Sequence, residues 1–151
     1  MTRFPFRLDR LLDLRSRKER EQGEVLGRAL RDEAAQREAL ERAQSQLGEA
    51  QQQASPAQGH VSLAGVLRNL GLTVTAAETQ RDSAELSRDA AVQQVDAERE
   101  RYAVAQRDRR VIERLREKRL DDWTREQGRK EQQEMDGLAL DRHRRQQEEQ
   151  S

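Results

Sequence analysis

Ala84-Glu85-Leu86-Ser87-Arg88-Asp89-Ala90-Ala91-Val92-Gln93-Gln94-Val95-Asp96-Ala97-Glu98-Arg99-Glu100-Arg101-Tyr102-Ala103-Val104-Ala105 decides the fold. Ala84, Arg88, Ala91, Val95, Glu98, Tyr102 and Ala105 recur here at alternating steps of four and three. Arg81, Ala77, Val74, Leu70, Leu67 and Leu63 continue the series backwards, and Arg109 and Ile112 continue it forwards. A 4-3 repeat of this kind places its members on one narrow stripe of an α-helix, a seam that pairs with one other helix. The intervening positions are mostly charged or amide side chains, as a solvated face requires.

A second series in the same chain offers a partner. Leu12, Leu26, Leu40, Leu47 and Ala54 occupy one heptad position, with Arg15, Ala29, Ala43 and Ala50 three residues on. Between the two series stands a single breaker, Ser55-Pro56-Ala57-Gln58-Gly59. The pattern predicts an all-α, antiparallel two-helix coiled coil forming a single domain over 1–151. Helix 1 is expected over about 5–54, with Pro5 in its first turn, where its missing N–H costs nothing. A turn over about 55–61 and a longer helix 2 over about 62–147 follow. Gly65, Gly71 and the Thr73-Val74-Thr75 run lower helix propensity near that start. Thr75-Ala76-Ala77-Glu78 reads as a capping box at which the helix would begin afresh; one bent helix is the preferred alternative. At about 1.5 Å per residue the helices span on the order of 75 and 130 Å. A fold-back over Ser55–Val61 brings Leu47 near Leu70 and Leu12 near Ala105, and leaves Ile112–Arg145 overhanging with Trp123 unpaired.

Composition bounds the function. Of 151 residues, 38% are charged, 33% hydrophobic and 3% aromatic, against roughly half apolar and a quarter charged in ordinary domains. Such a chain cannot fill a thick core, and its ordered apolar period argues against disorder. The 29 acidic and 29 basic residues cancel, which disfavours a nucleic-acid partner, whose binder carries a basic excess. Cysteine is absent, so disulfides are excluded and a cytoplasmic setting is permitted. No run reaches the roughly 18 apolar residues of a membrane span. Arg7, Asp9, Arg10 and Asp13 interrupt any leader-like stretch, so membrane contact is expected only through partners.

No constellation carries chemistry. His60 and His143 stand alone, so no metal site is expected. Ser45, Ser55 and Ser62 lack His–Asp companions, phosphate-binding glycine loops are absent, and a helix pair offers no pocket in which to separate carboxylate pKa values. The chain is read as non-enzymatic, without cofactor. The Arg107–Arg119 stretch is either a partner-binding stripe or a solvated face with i,i+4 ion pairs. Trp123 is either an interface anchor or a ring lying along its own helix beside Leu120 and Gln127. Met135, Leu138 and Leu140 read as a minor packing patch or a terminal anchor.

Phe6-Arg7-Leu8 followed by Leu11-Leu12-Asp13-Leu14-Arg15, with Glu19 and Glu21, resembles the start of the flagellar export protein FliJ family. Arg114-Leu115-Arg116-Glu117-Lys118-Arg119 and Arg129-Lys130-Glu131-Gln132-Gln133-Glu134-Met135-Asp136-Gly137-Leu138-Ala139-Leu140-Asp141-Arg142 look like its charged and closing segments. The resemblance implies an antiparallel coiled-coil stalk of the bacterial flagellar type III protein export apparatus. Such a stalk serves flagellum biogenesis and, through motility, chemotaxis. It inserts the end bearing both termini into the hexameric flagellar export ATPase ring, which it regulates, and contacts the export gate cytoplasmic domain and export chaperones. The location implied is cytoplasmic, peripheral at the cytoplasmic face of the inner membrane, with a monomer when isolated.

Carried onto this chain, the ATPase-ring contact comprises Phe6, Leu8, Leu11, Arg15, Arg116, Arg119, Trp123, Met135 and Asp136. The export-gate contact comprises Gln44, Leu47, Gln51, Val66, Leu70, Thr73 and Ala77. Gly65, Gly71 and Thr73 depart from the larger apolar residues the family tends to place there. The alternatives are a generic homodimeric coiled-coil scaffold and the equivalent stalk of a virulence type III secretion system.

Overall fold

The computed structural model describes residues 4–55 and 64–149. Among them are two long helices packed against each other, α1 (Asp9–Ala54) and the longer α2 (Ala64–Glu149), and no strand. The expected turn over 55–61 lies, apart from Ser55, outside the described residues, as does Leu63 of the seam.

The start of α1 differs from the expectation for a local reason. Phe4-Pro5-Phe6 is not helical, because a residue before proline is pushed out of the α region. The first turn is closed instead by Asp9 N–H donating to the Phe6 carbonyl at 3.2 Å and Leu12 N–H to the Leu8 carbonyl at 2.9 Å. Asp9 then stands in the first turn of α1, where a carboxylate complements the helix dipole. Pro5 therefore belongs to a short N-terminal arm ahead of the helix. In α2 no fresh start occurs at Thr75. The hydroxyls of Thr73, Thr75 and Thr79 donate to the carbonyls of Asn69, Gly71 and Thr75 at 3.0, 3.0 and 2.9 Å. Thr75 lies inside a continuous helix, where there are no orphan N–H groups to cap, and its hydroxyl turns back to a carbonyl instead.

The contacts divide the chain into two compact units. In the unit Lys18–Ala105, Leu40, Ala43, Ala50, Ala91, Val95 and Ala105 are the buried apolar residues, and Glu98 is buried with them. All seven are seam positions. The other seam members described in this unit, among them Glu19, Leu26, Ala29, Glu33, Leu47, Ala54, Leu70, Val74, Ala77, Arg81, Ala84, Arg88 and Tyr102, are half-buried. So many small side chains let two helix backbones approach closely. Gly23 shows the limit of that approach: a Cβ there would lie 3.4 Å from the Tyr102 ring.

In the other unit, Met1–Arg17 with Gln106–Ser151, no described residue is fully buried. Phe4 packs on Trp123, Asp9 meets Arg116 and Arg15 meets Asp108. Each step forward along the first strand of chain is a step back along the second, so the helices run antiparallel. These pairs set Leu12 opposite Ile112 rather than Ala105, about one heptad from the expected register. In the first unit the Gly23–Tyr102 approach gives the same displacement and sets Leu47 opposite Ala77 rather than Leu70. The paired region accordingly reaches Trp123, and the expected overhang from Ile112 is replaced by one that begins after it.

Candidate functional site

The unit Met1–Arg17 with Gln106–Ser151 holds every residue of the expected ring contact. The Phe4–Leu8 arm is drawn onto α2 by an aromatic cluster. Phe4 and Phe6 stack with centroids 6.2 Å apart, and Phe4 meets Trp123 at 5.9 Å in a tilted arrangement. Trp123 is half-buried, which corrects its assignment to an unpaired overhang. Phe4 is the partner that sequence reasoning left out of the site, although two aromatics flanking a proline signalled an arm with something to cover.

Beside this cluster, Phe6, Arg7, Leu8, Leu115 and Arg119 line an open groove of about 530 Å³. A second hollow, about 410 Å³, adjoins it along Phe4, Pro5, Phe6, Arg7 and Asp9. Of the expected contact residues, the groove thus brings together Phe6, Leu8 and Arg119. Leu11 is half-buried on α1. Arg116 holds Asp9 through Nε–Oδ1 at 3.4 Å, and Arg15 Nη1 donates to Asp108 Oδ2 at 2.7 Å. These two are structural pairs as much as surface charges. Arg109 Nη1 donates to Glu113 Oε2 at 2.6 Å, an i,i+4 pair between two half-buried residues that starts on the seam.

Met135 and Asp136 lie farther along α2, apart from the groove. Met135, Leu138 and Leu140 are 62–64% exposed, and Asp136 accepts from Gln132 Nε2 at 2.9 Å. Every described side chain from Gly128 to Glu148 is exposed.

The expected gate contact lies in the unit Lys18–Ala105. Gln44, Gln51 and Thr73 are exposed, whereas Leu47, Leu70 and Ala77 are half-buried seam members. The side chain of Val66 is outside the described residues. Outward contact there falls to the polar positions, because the seam leucines face the other helix. Among the described residues no group of three potential ligands could hold a metal.

Two antiparallel helices of unequal length, polar along their outer faces and joined by an aromatic arm, frame the comparison with known families. The family model described as flagellar FliJ protein matches residues 4–148. The chain belongs to the FliJ family. It is thereby a component of the flagellar protein export apparatus. No curated protein and no solved structure gives a match alongside it. Among the described residues no helix is long and apolar enough to cross a membrane.

Proposed function

We propose that this FliJ-family chain is the stalk that couples the hexameric export ATPase to the rest of the export apparatus at the cytoplasmic face of the inner membrane. The end built from Phe4–Arg15 and Gln106–Trp123, with the exposed continuation of α2, enters the ring and regulates its ATPase. Phe6, Leu8, Leu11, Arg15, Arg116, Arg119, Trp123, Met135 and Asp136 are its contact residues. The other unit meets the export gate through Gln44, Gln51 and Thr73, with Leu47, Leu70 and Ala77 behind them and Val66 as a further contact residue, and export chaperones bind the same stalk.

One observation carries this reading. From Gly128 to Glu148 the longer helix leaves every described side chain exposed, Met135, Leu138 and Leu140 included. Apolar groups left in water at that spacing are an interaction surface in search of a partner. The test is steady-state ATP hydrolysis by the purified export ATPase with the full chain, or with the chain ended after Gln127. The cut is placed there because 112–123 packs against the N-terminal arm. The full chain raises the rate and the shortened chain, still helical by circular dichroism, does not. Equal stimulation by both would remove the overhang from the ring contact.

A further inference from the structure

We infer that the groove lined by Phe6, Arg7, Leu8, Leu115 and Arg119 receives an acidic segment of the export ATPase ring that carries one apolar side chain. The inference rests on the ring-end reading above and adds the chemistry of the contact. The groove floor is apolar: Phe6 and Leu8 are half-buried and Leu115 is 36% exposed. The groove is open along one side and offers about 530 Å³, over which an aliphatic side chain can lie against the apolar floor.

Charge decides what flanks that side chain. Residues 4–17 and 106–123 together hold eleven basic and seven acidic residues, an excess of four in a chain whose total is neutral. The nearby acids Asp9, Asp108 and Glu113 are engaged with Arg116, Arg15 and Arg109. Arg7 and Arg119, the two cations on the groove itself, have no ion-pair or hydrogen-bond partner among the described residues. An apolar floor between two free guanidinium groups fits a carboxylate-bearing peptide, which arginine binds in a bidentate fork. A nucleic-acid backbone would leave the floor unused. A second copy of the chain could offer Glu131–Asp141, which carries four acids and no base around Met135, Leu138 and Leu140; the test separates it from the ring.

Binding of the full chain to the purified export ATPase is measured by fluorescence anisotropy, in parallel with light scattering of the chain alone. The variant Arg7→Glu/Arg119→Glu should bind about tenfold or more weakly, since truncating or reversing charges flanking an apolar contact acts on both attraction and repulsion. Arg7→Lys/Arg119→Lys, which keeps the charge and loses the bidentate fork, should bind with an affinity between the two, and Leu115→Ser should weaken binding at every salt concentration. Helicity by circular dichroism is compared for all three. If the unaltered chain fails to bind the ring, the ring-end reading and this inference fall together. If it binds and the reversed variant binds equally well, only the groove falls. Self-association of the chain that the same reversal abolishes, with ring binding intact, assigns the groove to a second copy and overturns the inference.

Discussion

At the residue scale the most instructive side chain is Glu98. It is 2% exposed, the largest fully buried side chain among the described residues, on a seam where its neighbours are Val95, Tyr102 and Ala105. Its Oε1 accepts from Gln94 Nε2 at 2.8 Å and from Arg101 Nη1 at 2.6 Å, while Oε2 has no hydrogen-bond partner among the described residues. Gln94 and Arg101 are themselves exposed, so removing Glu98 strands no buried donor. Replacing a buried charge by an apolar side chain of like volume is commonly neutral to stabilising. Glu98→Leu should therefore raise stability by about 1 kcal/mol, seen as a higher urea midpoint with unchanged slope; a lower midpoint would mean the carboxylate contributes net stability. Phe4 and Trp123 give a second test at this scale. Phe4→Ala should cost about 1 kcal/mol and shift the emission of the single tryptophan to the red as water reaches the ring. Unshifted emission would place the arm off the helix.

At the scale of elements, legibility follows from how each signal is encoded. The seam was readable because every member constrains the same face: each described position from Leu12 to Ala54 and from Leu70 to Ile112 named from the 4-3 step is buried or half-buried. Register was not, since a heptad pattern repeats and a slip by one repeat leaves the same faces in contact. Only specific pairs such as Arg15–Asp108 and Asp9–Arg116 distinguish the two registers, and a long charged sequence offers many equivalent pairings. The Phe4–Trp123 contact was hidden for the same reason, being the outcome of register rather than of a local motif. Of the two readings at Thr75, the single helix preferred over a fresh start is the one present; the Thr75 hydroxyl bonds back to the Gly71 carbonyl, since capping and back-bonding use the same side chain and continuity of the seam decides between them. Within the candidate site, the cluster Phe6, Leu8 and Arg119 was legible through the family resemblance, whereas Leu115 and Arg7, which complete the groove, were not singled out.

At the scale of the whole molecule, register becomes measurable through covalent chemistry. The chain has no cysteine, so pairs can be introduced with no background. Leu12→Cys with Ile112→Cys joins two half-buried seam positions that the pairs Asp9–Arg116 and Arg15–Asp108 bracket. Leu12→Cys with Ala105→Cys samples the register displaced by about one heptad, roughly 10 Å along the axis. A disulfide tolerates Cβ atoms only about 3.5–4.5 Å apart, so the first pair should oxidise rapidly within one chain and the second slowly or not at all. Both products are read by mass and by light scattering, which keeps an intrachain bridge distinct from a bridged dimer. A monomer closed by the first pair fits a chain zipped onto itself. Fast closure by the second pair would mean that the helices populate the slipped register, and interchain bridging by the first would turn the fold-back into the two-chain scaffold that the heptads alone also allow.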